Sequence, residues 1–378
     1  MTALRAIGLM SGTSMDGIDV AALETDGETV TRTGPSLFVP YDAELRGRLD
    51  AALETAKAIV HREDRPGNLA DLERELTLRN ASAVRDFLAS DGSAWRDADI
   101  VGYHGQTVLH RPQAGITVQL GDGALLAEGI GLPVMYDMRA NDMKNGGQGA
   151  PLVPAYHAAR ARSLASEFAK EFPVVFVNIG GISNITYVPR NGDPIAFDTG
   201  PGNMLIDIWV AHEAGVSFDE GGAIASSGAI VRTVADAYLK KPFFDAPGPK
   251  SLDRKDFSIH LMQGQKLADG ARTFATIAAE AILRGAEHLP KQPKLWVICG
   301  GGRKNPHIVG DLTLLAAKGG ARVVVAEEAG LDGDATEAEA WAFLAVRAMR
   351  GLPLTFPTTT GCARPVTGGV FTKAKGAR

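Results

Sequence analysis

Cysteine is almost absent. Two occur in 378 residues, Cys299 and Cys362, too few to staple a chain of this length, so a reducing, cytoplasmic compartment is expected. Cys299 sits in an apolar run and reads as core. No apolar run approaches the roughly 18–20 residues of a membrane span. The opening MTALRAIGLMSGTS has no long apolar segment of the signal-peptide kind, so neither membrane nor export is expected. A net charge of −5 without a block of one sign argues against nucleic acid as partner. Several motifs are missing as well. There is no GxxxxGK[ST], no GxGxxG and no GxSxG, which argues against a P-loop, a dinucleotide fold and a serine-hydrolase elbow. The eight histidines are scattered without HExxH or CxxC spacing, so no metal-ligand set is expected.

What remains is a globular composition, 45% hydrophobic with mean hydropathy near zero, in a chain long enough for two domains. Its strongest feature is a pair of glycine-rich turns set far apart. The first is GLMSGTSMDGID at residues 8–19 and the second is NIGGISN at residues 178–184. Each lies between two short apolar runs, so each reads as a β-hairpin. Tight turns rich in Gly, Ser and Thr expose backbone N–H groups and hydroxyls that can cradle phosphate. One such hairpin in each half points to a nucleotide and to phosphoryl transfer or ATP hydrolysis.

Periodicity places helices over 43–61, 68–89, 124–128, 152–170, 204–214, 266–287 and 336–350. Strands are expected over 99–107, 116–120, 133–136, 195–197, 295–299 and 322–326. The segment NGGQGAP at 145–151 reads as a loop and a hinge. Domain limits follow as 1–135 with 353–378 for the N-terminal domain and 136–352 for the C-terminal domain.

Several residues carry the chemistry. In the first turn, Gly12, Thr13, Ser14, Met15, Gly17 and Ile18 would line phosphate, and Asp16 and Asp19 could orient a magnesium ion through water. Gly180 and Gly181 form the second turn. Gly300, Gly301 and Gly302, followed by Asn305, form a third glycine-rich element that lets the chain pass close to adenine or ribose. Asp198 closes an apolar strand and enters the loop TGPGN, a position suited to a general base; capping that loop is the structural alternative. His104 and Gln106 end another strand, with a satisfied structural histidine as the alternative for His104; Asp122 opens a helix, and Glu337 stands near a helix N-terminus where its charge is favourable anyway. These four are the candidate substrate contacts.

Taken together the motifs closely resemble one family, the anhydro-N-acetylmuramic acid kinases. The stretches that carry the resemblance are GLMSGTSMDGIDVA, HGQTVLHRP, GGQGAPLVPAYHA, VNIGGISNIT, FDTGPGNMLID, CGGGRKNPHI and PLTFPTTTG. They run from end to end in the family's order. Departures occur at residues 143–145, at Leu252 and Asp253, and at Trp341. The resemblance implies an α/β, two-domain actin/hexokinase/Hsp70-like fold with ATP in the interdomain cleft. It implies Mg2+ beside ATP, Asp198 as catalytic base and a homodimer. The implied reaction converts 1,6-anhydro-N-acetylmuramic acid, a product of peptidoglycan turnover, with ATP and water into N-acetylmuramic acid 6-phosphate and ADP. Two other readings stay open: an ordinary sugar kinase, in which Asp198 deprotonates a hydroxyl, and an ATPase module that uses nucleotide as a switch.

Overall fold

A computed structural model describes residues 2–12, 14–164, 167–252 and 256–374. The chain divides into two compact units, Met1–Ser163 with Ala335–Arg378, and Leu164–Asp334. The expected limits at 135/136 and 352/353 therefore move. The helix Thr336–Met349 is the reason on one side: it packs on the first unit's strands, and its Phe343, Leu344 and Val346 join that unit's core. The helix Pro154–Arg162 does the same on the other side through Ala155 and Tyr156. It is shorter than the helix expected over 152–170, because the chain leaves the first unit just after it.

The first unit is built on β1 (Leu4–Ser11), β2 (Gly17–Thr25), β3 (Val30–Pro40), β4 (Ile100–Arg111), β5 (Ile116–Leu120) and β6 (Val134–Tyr136). Its spatial order is β3-β2-β1-β4-β6. The first three strands are antiparallel neighbours, whereas β4 and then β6 join parallel. The second unit has β7 (Val174–Ile179), β8 (Ile182–Val188), β9 (Ile195–Pro201), β10 (Leu295–Cys299) and β11 (Arg322–Val325), in the order β9-β8-β7-β10-β11. Its pairing senses are the same: antiparallel, antiparallel, parallel, parallel. The echo visible in sequence as two hairpins is thus a duplicated five-stranded plan, the pseudo-repeat that the expected two-domain α/β fold requires. In the first unit β12 (Val370–Thr372) adds antiparallel to β6, and β5 pairs with β4.

Both faces of β1 are covered, and the strand's period of two decides what meets what. Ile7 and Leu9 join Leu72, Leu76 and Val84 of the helix Leu69–Ala89. Ala6 faces the other way with Trp341, Phe343 and Leu344. On that second face Gly8 and Gly102 are register partners in β1 and β4. A Cβ on Gly8 would lie 1.8 Å from the Ala338 carbonyl oxygen, and one on Gly102 would lie 2.1 Å from that of Trp341. Only hydrogen fits there, so the helix backbone sits directly on the strands.

Strand β3 was not foreseen. Its Gly34-Pro35 reads as a turn, yet β3 pairs only with β2 and so lies at the sheet edge, where proline is tolerated. The segment 145–151 is no hinge: it lies inside the first unit. The Asp142 carboxylate, 1% exposed, ties it down, accepting Gly149 N at 2.7 Å and the hydroxyls of Thr355 and Thr360 at 2.5 and 2.7 Å. Among the described residues no helix is long and apolar enough to cross a membrane.

Gly102→Val should therefore lower stability by about 1–3 kcal/mol, the usual scale of overpacking, seen as a lower urea midpoint. An unchanged midpoint would show that the helix is not seated on these strands.

Candidate functional site

In the first unit the site grows from the β1–β2 turn. Met15 N donates to Gly12 O at 3.2 Å, Ser14 Oγ donates to Asp16 Oδ1 at 2.8 Å, and Met15 takes φ of +52°. Thr13 lies outside the described residues. Ser14 and Asp16 are exposed and Asp19 is half-buried. Gly17 is closed in by the Phe38 ring, and Ile18 is a core side chain, so these two offer backbone alone. The middle of β4 braces the turn, since this strand runs on to Arg111 and does not end at 107 as expected. Gln106 Nε2 donates to Gly12 O at 3.0 Å, and among the described residues Gln106 Oε1 is buried without a partner. A buried acceptor left open is costly; here it stands beside a turn whose composition suits a ligand.

His104 and Arg139 form the next layer. The His104 Nδ1–H donates to the Ser11 carbonyl at 3.1 Å, so its Nε2 carries the lone pair. That lone pair accepts from Arg139 Nη2 at 3.1 Å and Nε at 3.3 Å. Burial, and then the Arg139 charge, push the His104 pKa well below its usual value, so the ring is neutral at pH 7. Burial lowers the Arg139 pKa to about 10, with Glu337 and Asp142 pulling it back up; Arg139 stays cationic. Trp341 covers both groups, with ring centroids 4.6 Å apart for His104 and with the Arg139 guanidinium carbon 5.2 Å from its ring. Glu337, half-buried in the first turn of the same helix, completes the cluster through its charge. Sequence reading passed over Arg139; its signal was a lone cation just past a short strand, in YDMR. Asp122 stands apart as the N-cap of the helix Gly123–Ile130, its Oδ1 accepting from Ala124 N and Leu125 N at 2.9 and 3.0 Å.

In the second unit the hairpin and the loop after β9 interlock. Gly180 O accepts from Asn203 N at 2.8 Å, and Gly181 O accepts from Gly202 N and Met204 N at 2.9 and 3.1 Å. The third glycine element closes on them. A Cβ on Gly302 would lie 2.2 Å from Ile179 Cγ2, and one on Gly300 would lie 2.3 Å from Asn178 Oδ1, whereas Gly301 faces open space. Asn305 caps the helix Pro306–Ala317, its Oδ1 accepting from His307 N at 3.0 Å.

Asp198 lies in β9 beside this cluster. The pairing of β8 with β9 slips at this point: Asn184 faces Asp198 and Ser183 faces Gly200, leaving Thr199 as an extra residue. Such a bulge re-aims neighbouring side chains. Asp198 Oδ2 accepts Leu252 N at 2.8 Å, and Asp198 N donates to Lys250 O at 3.0 Å. The Lys250 ammonium is engaged elsewhere, donating to Phe243 O and Ala246 O at 2.9 and 2.7 Å. Burial dominates and raises the Asp198 pKa to about 6, against the opposing pull of the Leu252 amide. Among the described residues no group of three or more His, Cys, Asp or Glu could hold a metal.

Residues 4–374 match the family model of anhydro-N-acetylmuramic acid kinase. Curated relatives of that name include one from Agrobacterium fabrum, 58% identical over 369 residues and covering 98% of each chain. Another, from Brucella canis, is 56% identical over 366 residues, 97% of this chain and 98% of the relative. One from Rhizobium etli is 55% identical over 367 residues with the same coverage. Among solved structures, a ROK family glucokinase from Streptomyces griseus in complex with glucose and AMPPNP is 17% identical over 90% of this chain and 98% of its own, with a TM-score of 0.40. That likeness is too slight to argue from.

The Asp198 carboxyl should titrate near pH 6 when followed by carbon NMR of labelled aspartate, with Asp198→Asn to assign the signal. A midpoint at the ordinary value of about 3.9 would show that burial does not govern this group.

Proposed function

This chain belongs to the anhydro-N-acetylmuramic acid kinase family, and on that premise we propose that it opens the 1,6-anhydro ring of 1,6-anhydro-N-acetylmuramic acid and phosphorylates O6 at the expense of ATP. The observation that carries the chemistry is Asp198: a buried carboxylate, held by one backbone amide and with its pKa raised to about 6. An acid of that strength is ionised at neutral pH and more basic than an exposed aspartate, the tuning that a general base needs.

The substrate dictates what the base acts on. Its O6 is bonded to C1 in an internal acetal and carries no proton, so Asp198 takes its proton from water. The water oxygen bonds to C1, the C1–O6 bond breaks, O6 bonds to the γ-phosphorus and ADP departs. Inverting glycosidases pair a carboxylate base with a carboxylic acid. Here the phosphoryl group captures the leaving oxygen, so one carboxylate suffices.

The β1–β2 turn at Gly12–Asp19 and the glycine elements at 180–181 and 300–302 serve the nucleotide. Asp16 and Asp19, the carboxylates near the turn, would hold Mg2+ through water, an ion that needs only one or two carboxylates and would neutralise phosphate charge. Arg139 and Glu337 offer charge to the sugar, and Gln106 Oε1 offers an acceptor. His104 has both ring nitrogens engaged, so it works through Arg139 by holding the guanidinium in place. Asp122, used as a helix cap, is left out.

Turnover in 18O water should give N-acetylmuramic acid 6-phosphate with one 18O, read by mass spectrometry before the anomeric oxygen exchanges. A product phosphorylated on some ordinary sugar, with the anhydro sugar untouched, would favour the conventional kinase. Asp198→Asn should lose about 10²–10⁴-fold in kcat; near-normal turnover would remove Asp198 from the mechanism. Because the base works ionised, kcat of the native enzyme should hold above pH 6 and fall tenfold per unit below it. A flat profile down to pH 5 would contradict the raised pKa.

A further inference from the structure

Beside the cluster of His104 and Arg139, the first unit contains a cavity of about 100 Å3 that none of these roles uses. Its lining includes Arg62, Arg65, Tyr103, Gln119, Tyr136 and Asp137, and His104 forms part of the same wall.

The two arginines differ in what they have left to give. Arg65 is spent: its Nε and Nη2 each lie 2.9 Å from the Glu73 carboxylate, and its Nη1 donates to the carbonyls of Arg62 and Asp64 at 2.9 and 3.0 Å. It builds the loop. Arg62 gives only Nη2, to Asp137 Oδ1 at 2.6 Å. Its Nε and Nη1 make no hydrogen bond among the described residues, so N–H donors and the cationic charge remain open to an anion. Asp137, two residues before Arg139, has φ of +54°, an uncommon conformation for a residue with a side chain.

A second observation points to a ligand independently. Tyr103 is 2% exposed and lines the cavity; among the described residues its hydroxyl makes no hydrogen bond of good geometry, with the Thr77 side chain as its polar neighbour. A buried phenol left unsatisfied is costly, and a ligand oxygen would satisfy it. The cavity wall is kept back by Gly121, where a Cβ would lie 2.8–2.9 Å from the Tyr103 ring and hydroxyl.

Resting on the function proposed above, we infer that this cavity is the subsite for the carboxylate of the substrate's lactyl ether, with the remaining N–H donors of Arg62 as its cation and the Tyr103 hydroxyl as a further donor. The anionic arm would then select the muramic acid derivative over the same anhydro sugar without the ether.

The test compares two sugars, 1,6-anhydro-N-acetylmuramic acid and 1,6-anhydro-N-acetylglucosamine, with full-length enzyme. Arg62→Gln should raise KM for the acid about 10–100-fold, the worth of a charged hydrogen bond, with kcat little changed. It should leave kcat/KM for the neutral sugar where it is in the native enzyme. Equal losses on both sugars, or no loss on the acid, would overturn the subsite. Asp137→Asn breaks the ion pair and keeps the Arg62 charge. It should preserve the preference for the acid; losing that preference as fully as Arg62→Gln would make Arg62 a strut and overturn the assignment. Calorimetric titration of both sugars without ATP separates this inference from the reaction. Tighter binding of the acid, abolished in Arg62→Gln, would support the subsite even if neither sugar were phosphorylated, an outcome that would overturn the proposed function alone. Equal affinity for the two sugars, or binding of neither, would overturn the subsite.

Discussion

The first unit's chemistry depends on the direct seating of the helix Thr336–Met349 on β1 and β4. Carbonyl oxygens of Ala338 and Trp341 occupy the space that side chains at Gly8 and Gly102 would need. That contact fixes the height and rotation of the helix, and with them the placement of Trp341 and Glu337. Trp341 then covers His104 and Arg139, and the Glu337 charge helps to keep Arg139 protonated in a buried setting. A longer side chain at either glycine would lift the helix and loosen every one of these relations.

The two units share a strand plan and spend it differently. In the first, the β1–β2 turn keeps hydroxyl and carboxylate groups exposed at Ser14 and Asp16, with Gln106 bracing it from β4. In the second, the corresponding hairpin gives its carbonyls to the amides of 202–204, and the polar function passes to β9. There Asp198 lies buried beside a bulge, and among the described residues its carboxylate accepts one hydrogen bond, from the Leu252 amide. Burial is what makes this carboxylate a stronger base than an ordinary aspartate.

Much of this was open to sequence reading because it is local. A glycine-rich turn between apolar runs can hardly be anything but a hairpin, and both hairpins stand where they were expected. The long helices follow from apolar spacing. Strand β3 was not among the expected strands, and the Gly34-Pro35 within it is tolerable because the strand lies at the sheet edge. The segment 145–151 looked like a hinge because its glycines are visible in sequence, whereas the bonds from Asp142 to Gly149, Thr355 and Thr360 link residues far apart in the chain. Arg139 and Arg62 were invisible for the same reason: what distinguishes each from other arginines is its partners and its burial.

Sequence by itself determined the reaction class and the family, since these rest on short motifs whose residue types must stand close along the chain to cradle phosphate or present a base. It also determined Asp198 as the carboxylate to watch. Tertiary structure decided everything that depends on separation in sequence. It set the domain limits, because helix packing and not chain order assigns 136–163 and 335–352 to the first unit. It gave the His104 lone pair its partner, a guanidinium 35 residues away. It raised the Asp198 pKa, because desolvation is a property of the surrounding fold and of no single residue.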